Sequence, residues 1–260
     1  MVHFVGAGPG AEDLITLRGA ALLGNADVVI YTGSLVSPAI LKLVRTEGAK
    51  IYNSAEMTLD QVIEVMAEAD ANGLDVVRLH TGDPSLYGAI REQIDELKKR
   101  GIAFEVVPGV SSMGAAAAAL ETEYTLPGVS QSVIVTRMAG RTPVPESESI
   151  ASLASHGATM VIFLSAGMLR ELSEQLLEGG AYTADTPAAI VYKASHPEEK
   201  VIRTRIGDLA AEGDRNEISR TALVIVGDFL GDDYELSKLY DPSFETGYRN
   251  VSPQANHVST

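Results

Sequence analysis

An apolar run that leads directly into a glycine-rich loop is the feature that most restricts the folds open to this chain. The loop lies in Phe4-Val5-Gly6-Ala7-Gly8-Pro9-Gly10-Ala11, and apolar residues at helical spacing follow it. Glycine permits tight turns and close approach of a ligand to the backbone, and a helix N-terminus offers unpaired N–H groups. The segment predicts a strand, a loop and a helix in succession, with either a cofactor loop or a plain tight turn in the middle.

Strand and helix patterns alternate through the whole first half of the chain. Apolar strand patterns occur at 2–5, 27–31, 74–79 and 102–107, with helical patterns between them. This alternation predicts an α/β fold with an open, mainly parallel sheet. In such sheets ligands bind outside the carboxyl ends of the strands, where the glycine loop and the turns at 81–87 and 108–112 all fall.

The second half restarts after a polar segment, 121–131, that contains Pro127-Gly128. Further strand patterns follow, and the alternating one at 201–206 indicates a mixed sheet with one wet face. The predicted organisation is an N-terminal α/β domain at 1–120, a linker at 121–131, a C-terminal α/β domain at 132–240 and a polar tail at 241–260.

Three helix starts are predicted in the first half. Leu14 and Leu17 begin an apolar face that continues at 21 and 22, and Ser37-Pro38 starts a second helix. Thr58 and Gln61 have the spacing of a capping box at the start of a third.

Composition excludes several classes of partner and chemistry. The 260 residues carry a net charge of -15, which argues against nucleic acid and anionic membranes as primary partners. The absence of cysteine excludes disulfides, thiolate metal ligands and a cysteine nucleophile. With no apolar stretch long enough to span a bilayer and no signal-type N-terminus, a soluble cytoplasmic protein is expected.

A dinucleotide site is the first interpretation of the glycine loop, because Gly6-x-Gly8-x-x-Ala11 fits that fingerprint. Such a site needs an acidic residue at the end of the second strand to bind the ribose hydroxyls. Asp27 has about the right spacing but stands at the start of that strand, and the strand ends in Tyr31-Thr32-Gly33. The missing acid argues against this interpretation.

Several motifs in a fixed order resemble the tetrapyrrole (corrin and porphyrin) methylases. The glycine loop with 14–19, the Thr81–Gly88 segment with its Gly-Asp-Pro, and Val107-Pro108-Gly109-Val110-Ser111-Ser112 match the family's first domain, and 159–164, 187–191 and 222–227 match blocks of its second. The resemblance covers roughly residues 2–232. The segments 31–36, 53–58 and 136–145 are further similar to the branch that methylates precorrin-4 at C11 in cobalamin biosynthesis.

The resemblance implies a class III S-adenosylmethionine-dependent methyltransferase with its active-site cleft between two α/β domains. S-adenosyl-L-methionine would donate the methyl group and leave as S-adenosyl-L-homocysteine; no metal is expected, and the protein would be a homodimer. The positions that would bind the cofactor are Pro9, Thr81, Gly82, Asp83, Leu86, Ser111, Ser112, Leu164, Ala194, Thr221 and Ala222. Asp83 could instead be a turn former, and Ser111 and Ser112 could be helix caps.

The implied partner is precorrin-4 or cobalt-precorrin-4, a tetrapyrrole with many carboxylates. Arg137 and Arg141, in a glycine- and proline-containing loop, are the predicted carboxylate partners, with solvated surface as the alternative. Tyr87 is a further predicted substrate contact, and no catalytic proton acceptor is identified.

Three rival functions remain open at this point. They are methylation of another ring position within the family, a flavin or nicotinamide oxidoreductase that uses the glycine loop, and a tetrapyrrole-binding module without catalysis.

Overall fold

The computed structural model describes residues 1–33, 35–241 and 243–250, and its first half forms a five-stranded sheet. The strands are β1 (Val2–Gly6), β2 (Val28–Tyr31), β3 (Lys50–Asn53), β4 (Val76–His80) and β5 (Phe104–Val107). They are arranged in the order β3-β2-β4-β1-β5, and every pair is parallel. The predicted parallel first sheet is confirmed.

Three adjacent strands of this sheet, β4, β1 and β5, bring three loops to one edge. Every residue of β1 and β4 is buried, as expected for parallel strands covered on both faces. The register pairs Gly6 with His80 and Val5 with Val107, so β1, β4 and β5 end at nearly the same level. The loops that follow these strands therefore begin side by side.

Helices cover both faces of the first sheet: α1 (Leu17–Asn25), α2 (Leu59–Ala71) and α3 (Ile90–Lys99). Buried residues of α2 and α3, among them Met66 and Leu97, pack with Phe4 on one face. On the other face Leu23 of α1 packs with Val5. The predicted capping box at Thr58 and Gln61 is present at the start of α2.

The predicted apolar face of the first helix is wrong. Leu14 ends a short 3-10 turn, Ile15 and Thr16 are extended, and α1 begins only at Leu17. This break shifts the helical phase, so Leu17 is 92% exposed and Leu23 is buried in its place. The predicted helix start at Ser37-Pro38 is confirmed: Ser37 caps a helix over Pro38–Leu43, which is of the 3-10 type.

The second sheet is mixed, as predicted. Its strands are β6 (Val133–Arg137), β7 (Thr159–Phe163), β8 (Pro187–Tyr192), β9 (Lys200–Arg205) and β10 (Ala222–Val226), in the order β6-β7-β10-β8-β9. The pair β6 and β7 is parallel, and the other three pairs are antiparallel.

Helices also cover both faces of the second sheet. Three of them, α5 (Ile150–Ala154), α6 (Leu169–Glu178) and α7 (Leu209–Arg215), pack with Val224 and Val226 of β10. On the opposite face, Leu223 and Ile225 pack against α4 (Ser112–Ala119). Because α4 follows β5 directly, it carries the chain from the edge of the first sheet onto the second.

Three short elements have no counterpart in the sequence analysis: β3, α5 and α7. The strand β3 is half exposed, α5 has five residues, and α7 contains a glycine and two acidic residues, so none shows strong periodicity.

Of the predicted polar tail, residues 241 and 243–250 are described and mostly exposed. Pro242 and residues 251–260 lie outside the described residues, as does Ser34. No helix in the described part of the chain is long and apolar enough to cross a bilayer.

Candidate active site

Backbone contacts between three glycines join the loops at the edge of the first sheet. A side-chain carbon built on Gly6 would lie 2.5 Å from the Cα of Gly109 and 2.6 Å from the carbonyl oxygen of Gly82. Gly8 and Gly82 exchange two backbone hydrogen bonds, of 2.8 and 3.3 Å. Only residues without a side chain permit this approach, so the glycine spacing serves loop packing as well as ligand access.

Asp83 connects two of these loops through its carboxylate. Its Oδ1 accepts hydrogen bonds from the backbone N–H (2.8 Å) and the hydroxyl of Ser85, and its Oδ2 accepts one from the backbone N–H of Gly109 (2.7 Å). Partial burial would raise the pKa of Asp83, but these hydrogen bonds outweigh burial and leave the pKa below its ordinary value. The carboxylate is therefore ionised at neutral pH and aligns the turn at 108–112.

A cavity of about 730 Å³ opens between the two sheets beside these loops. One wall comes from the first half of the chain, including Pro9, Thr32, Met57, Arg78, His80 and Thr81; the opposite wall includes Leu164, Val191, Lys193, Ala194 and the stretch 219–223. The volume is in the range of pockets that bind a single cofactor-sized ligand.

Strained backbone is concentrated around this cavity. Five non-glycine residues with left-handed φ values between 47° and 56° line it: Tyr87, Ala89, Leu164, Lys193 and Thr221. A side chain in this region costs roughly 1–3 kcal/mol, and such residues cluster at functional sites. The backbone on both walls is thus held in conformations that packing elsewhere must stabilise.

The loop after β8 closes over the glycine loop from the second half of the chain. The imidazole Nε2 of His196 lies 3.1 Å from the carbonyl oxygen of Pro9, and the hydroxyl of Ser195 accepts a 3.1 Å hydrogen bond from the backbone N–H of Ala11. The His196 ring occupies the space that a side chain on Gly10 would need. These contacts hold Pro9 at the cavity wall.

Two buried polar atoms beside the cavity have no hydrogen-bond partner among the described residues: Oγ1 of Thr81 and Nε2 of His80. Burial, and secondarily the charge of Arg78, lower the pKa of His80 to about 3, so its imidazole is neutral. An unsatisfied buried polar group costs free energy. Both groups are suited to hydrogen bonds with a bound ligand.

Arg78 is a charged residue in the middle of the central strand β4, between the apolar residues Val77 and Leu79. Its side chain is buried, and its Nε and Nη1 donate to four neutral oxygens at 3.2–3.4 Å, on Gln93, Ile30, Thr32 and Leu79. Burial lowers its pKa to about 10, which leaves the guanidinium charged at neutral pH.

The structure brings most of the predicted site residues to the cavity wall. Those that line it are Pro9, Thr81, Leu86, Tyr87, Ser112, Leu164, Ala194, Thr221 and Ala222. Gly82, Asp83 and Ser111 stand immediately behind this wall. Gly82 is in the glycine contact, Asp83 bonds to Gly109, and Ser111 caps α4 through its hydroxyl.

The two predicted carboxylate-binding arginines do not line the cavity. The guanidinium of Arg137 donates to the carbonyl oxygens of Met138, Thr142 and Pro143, at 2.9–3.2 Å, and so organises its own loop. Arg141 is exposed on that loop. Tyr87, by contrast, lines the cavity, and its ring packs against that of Phe163 in a tilted arrangement with 5.3 Å between the ring centres.

Several cavity residues were missed by the sequence analysis, chiefly Arg78, Gln93, His196 and Arg220. An available signal for Arg78 was a charge within the apolar run Val76-Val77-Arg78-Leu79, since an unpaired charge is expensive in a buried strand. Nothing local distinguishes Gln93, His196 or Arg220 from surface residues. Among the described residues, no group of three or more His, Asp or Glu side chains could hold a metal ion.

Comparisons with known proteins agree with this architecture. A family model for tetrapyrrole (corrin/porphyrin) methylases matches residues 1–210. The chain is 52% identical, over 95% of both lengths, to a cobalt-precorrin-4 C(11)-methyltransferase from Methanocaldococcus jannaschii. It is 46% identical to a precorrin-4 C(11)-methyltransferase from Sinorhizobium sp., over 95% of this chain and 98% of that protein.

Solved structures give the same result for the fold. The X-ray structure of a cobalamin biosynthetic enzyme, cobalt precorrin-4 methyltransferase, matches with a TM-score of 0.86 and 43% identity, over 89% of this chain and 96% of that one. A uroporphyrin-III C-methyltransferase from Thermus thermophilus, complexed with S-adenosylhomocysteine, matches with a TM-score of 0.73 and 27% identity, over 88% and 92% of the two chains. These similarities confirm the predicted α/β architecture.

Proposed function

The chain belongs to the tetrapyrrole (corrin/porphyrin) methylase family, and on that premise we propose that it methylates C11 of precorrin-4 or cobalt-precorrin-4, with S-adenosylmethionine as donor, in cobalamin biosynthesis. The observation that carries this proposal is the high identity to two C(11)-methyltransferases over nearly the whole length of each. The cavity between the two sheets supports it, since it provides a site for the donor.

The residues at the cavity fit a methyl donor of this kind. Thr81 offers a buried hydroxyl that has no hydrogen-bond partner among the residues described, and Leu164, Ala194 and Ala222 offer a small, largely apolar wall. We assign the donor's methionine portion to the side of 81–83, Leu86 and 111–112, and its nucleoside to Leu164, Ala194 and 221–222, with Pro9 at the border. Gly82, Asp83 and Ser111 would act through the loop geometry they maintain.

The chemistry demands alignment more than acid–base catalysis. When bound, S-adenosylmethionine supplies an already activated methyl group. The protein's part is to hold the reacting carbon in line with the donor and to exclude water. The joined loops at Gly6, Gly82 and Gly109 and the contact of His196 with Pro9 provide a rigid wall for that purpose. No resident metal is required in this scheme.

The macrocycle would enter on the side of Tyr87. This residue lines the cavity, and burial raises its pKa, so its phenol stays protonated and can donate a hydrogen bond. We assign Arg141, exposed on the loop after β6, to contact a substrate carboxylate at the rim, and Arg137 to support that loop through its three carbonyl contacts.

We also propose two α/β domains, 1–120 and 132–240, with a linker at 121–131 between them and a tail of polar composition at 241–260. The protein is a homodimer. Exposed apolar residues support this, among them Leu17 on α1 and Val106 on the edge strand β5. We also propose a cytoplasmic location, on the ground that the relatives are biosynthetic enzymes.

Mass spectrometry of the reaction tests the proposal. Purified protein is incubated with deuteromethyl S-adenosylmethionine and either precorrin-4 or cobalt-precorrin-4, and the product is analysed by mass and by NMR. The expected result is one labelled methyl group on C11. A label on another ring carbon would contradict the C11 assignment. If the protein binds the tetrapyrrole but transfers no label, its function is that of a binding module without catalysis. Tight binding of NAD or FAD, without binding of S-adenosylhomocysteine, would indicate an oxidoreductase.

A further inference from the structure

A buried guanidinium in the cavity wall has no negatively charged partner in the described part of the chain. Arg78 is 6% exposed, and no carboxylate oxygen of a described residue lies within 4.0 Å of its nitrogens. Glu92 lines the same cavity from α3 but is exposed and makes no ion pair with Arg78. A buried charge without a counter-ion is costly, and proteins otherwise pair or hydrogen-bond such groups.

The neutral contacts of Arg78 orient the guanidinium but leave part of it unused. Nε donates to Gln93, and Nη1 donates to the carbonyl oxygens of Ile30 and Leu79 and the hydroxyl of Thr32. At 3.2–3.4 Å these hydrogen bonds are longer than the usual 2.9–3.0 Å. Nη2 donates to no described residue, and Arg78 lines the cavity.

His80 lies two residues further along β4, on the same face as Arg78, and also lines the cavity. Its side chain is 3% exposed, and its Nε2 has no hydrogen-bond partner among the described residues. The burial that lowers its pKa keeps the imidazole neutral, so it adds a hydrogen-bonding group without a second charge. A fixed guanidinium beside a neutral imidazole is a suitable arrangement for binding a carboxylate.

We infer that Arg78, with His80 beside it, forms a subsite for one carboxylate side chain of the tetrapyrrole, an inference that rests on the proposed function. The guanidinium would receive a counter-ion that no described residue provides, and the bound carboxylate would fix the rotation of the macrocycle relative to the methyl donor. The donor's own methionine carboxylate is the other source of the same chemistry. The macrocycle is favoured because the hydrogen bonds of Arg78 run to Ile30 on β2 and Gln93 on α3, on the β2 side of β4. The donor's methionine portion is assigned to the loops after β4 and β5, and β5 lies on the other side of β4 in the strand order.

The test compares Arg78→Met and Arg78→Lys with Arg91→Met. Arg91 is on the same helix as Gln93, is exposed and pairs with Asp95, so its loss changes the net charge equally without touching the cavity. Each variant is measured for binding of uroporphyrin, a stable tetrapyrrole polycarboxylate, by fluorescence, for binding of S-adenosylhomocysteine by calorimetry, and for KM and kcat with precorrin-4.

For Arg78→Met we expect a roughly 10- to 100-fold rise in the uroporphyrin Kd and in KM, with S-adenosylhomocysteine affinity within about twofold of wild type. Arg78→Lys should fall between, and Arg91→Met should match wild type. Unchanged tetrapyrrole binding in Arg78→Met would overturn the inference, and so would selective loss of S-adenosylhomocysteine affinity, which would assign Arg78 to the donor. If Arg78→Met does not fold, Arg78→Lys decides in the same way.

Failure of this inference is distinguishable from failure of the proposed function. Wild-type protein that labels C11, together with an unaffected Arg78→Met variant, would reject the subsite alone. Wild-type protein that labels no precorrin but binds uroporphyrin through Arg78 would reject the proposed reaction and retain the subsite.

Discussion

Replacement of Gly109 by alanine tests whether backbone contact between the three loops holds the cavity wall together. A side-chain carbon at Gly109 would lie 2.7 Å from the Cα of Gly6 and closer still to the carbonyl oxygen of Gly82. Carbon atoms in ordinary contact are about 3.5–4.0 Å apart, so one loop must move by roughly 1 Å. Gly109 has no left-handed φ, and the effect is therefore steric alone.

The expected cost is at the upper end of the range for overpacking, about 3 kcal/mol, because both neighbours are backbone atoms that cannot rotate away. Gly114 is the matched control. It lies in α4, is exposed, and has no atom within 4 Å of the side-chain carbon that alanine would add. Since alanine is the better helix former, Gly114→Ala should stabilise the protein by about 0.5–1 kcal/mol.

Urea unfolding followed by circular dichroism measures both variants, and calorimetry with S-adenosylhomocysteine reports on the cavity. Gly109→Ala should unfold at a lower urea concentration than wild type and bind S-adenosylhomocysteine more weakly, while Gly114→Ala should do neither. A Gly109→Ala protein within about 0.5 kcal/mol of wild type would show that the loops can separate freely, and the reasoning from close backbone contact would be refuted.

Three further predictions concern the cavity. Thr81→Val removes a buried hydroxyl that bonds to no described residue, so the ligand-free protein should be unchanged or about 1 kcal/mol more stable. The variant should bind S-adenosylhomocysteine more weakly in calorimetry, and a gain in affinity would contradict a ligand role for Thr81. His196→Ala loses the contact with Pro9 and should weaken S-adenosylhomocysteine binding by about 1 kcal/mol, whereas alanine at the exposed His156 should have no effect in the same titration. Because the pKa of His80 is lowered to about 3 in the folded state, the unfolded chain takes up a proton first as the pH falls, and stability is lost from about pH 6.5 downwards. His80→Gln should lose less stability than wild type between pH 7 and about 4.5 in urea titrations, and equal losses would show that His80 does not contribute.

Local patterns were sufficient for the elements with strong periodicity. The buried strands, the capping box at Thr58 and the glycine loops could all be predicted, because each depends on residues close together in the chain. The ordered set of motifs was sufficient for the family. Predictions failed where a short irregular stretch intervened: two extended residues before α1 change its phase and leave Leu17 exposed, which apolar spacing alone cannot reveal.

The sequence by itself determined the α/β class, the parallel first sheet and the family, because strand and helix periods and ordered motifs are properties of the chain in one dimension. Only the tertiary structure decided which side chains face the cavity. It directs the carboxylate of Asp83 to Gly109, turns the guanidinium of Arg137 onto its own loop, and places Arg78 in the cavity wall. The positions of Asp83 and Arg78 depend on the register of β1, β4 and β5 and on the packing of α4 against the second sheet, contacts between residues that are distant in sequence. The contacts of Arg137 are close in sequence, and the conformation of its loop brings those carbonyl oxygens within reach.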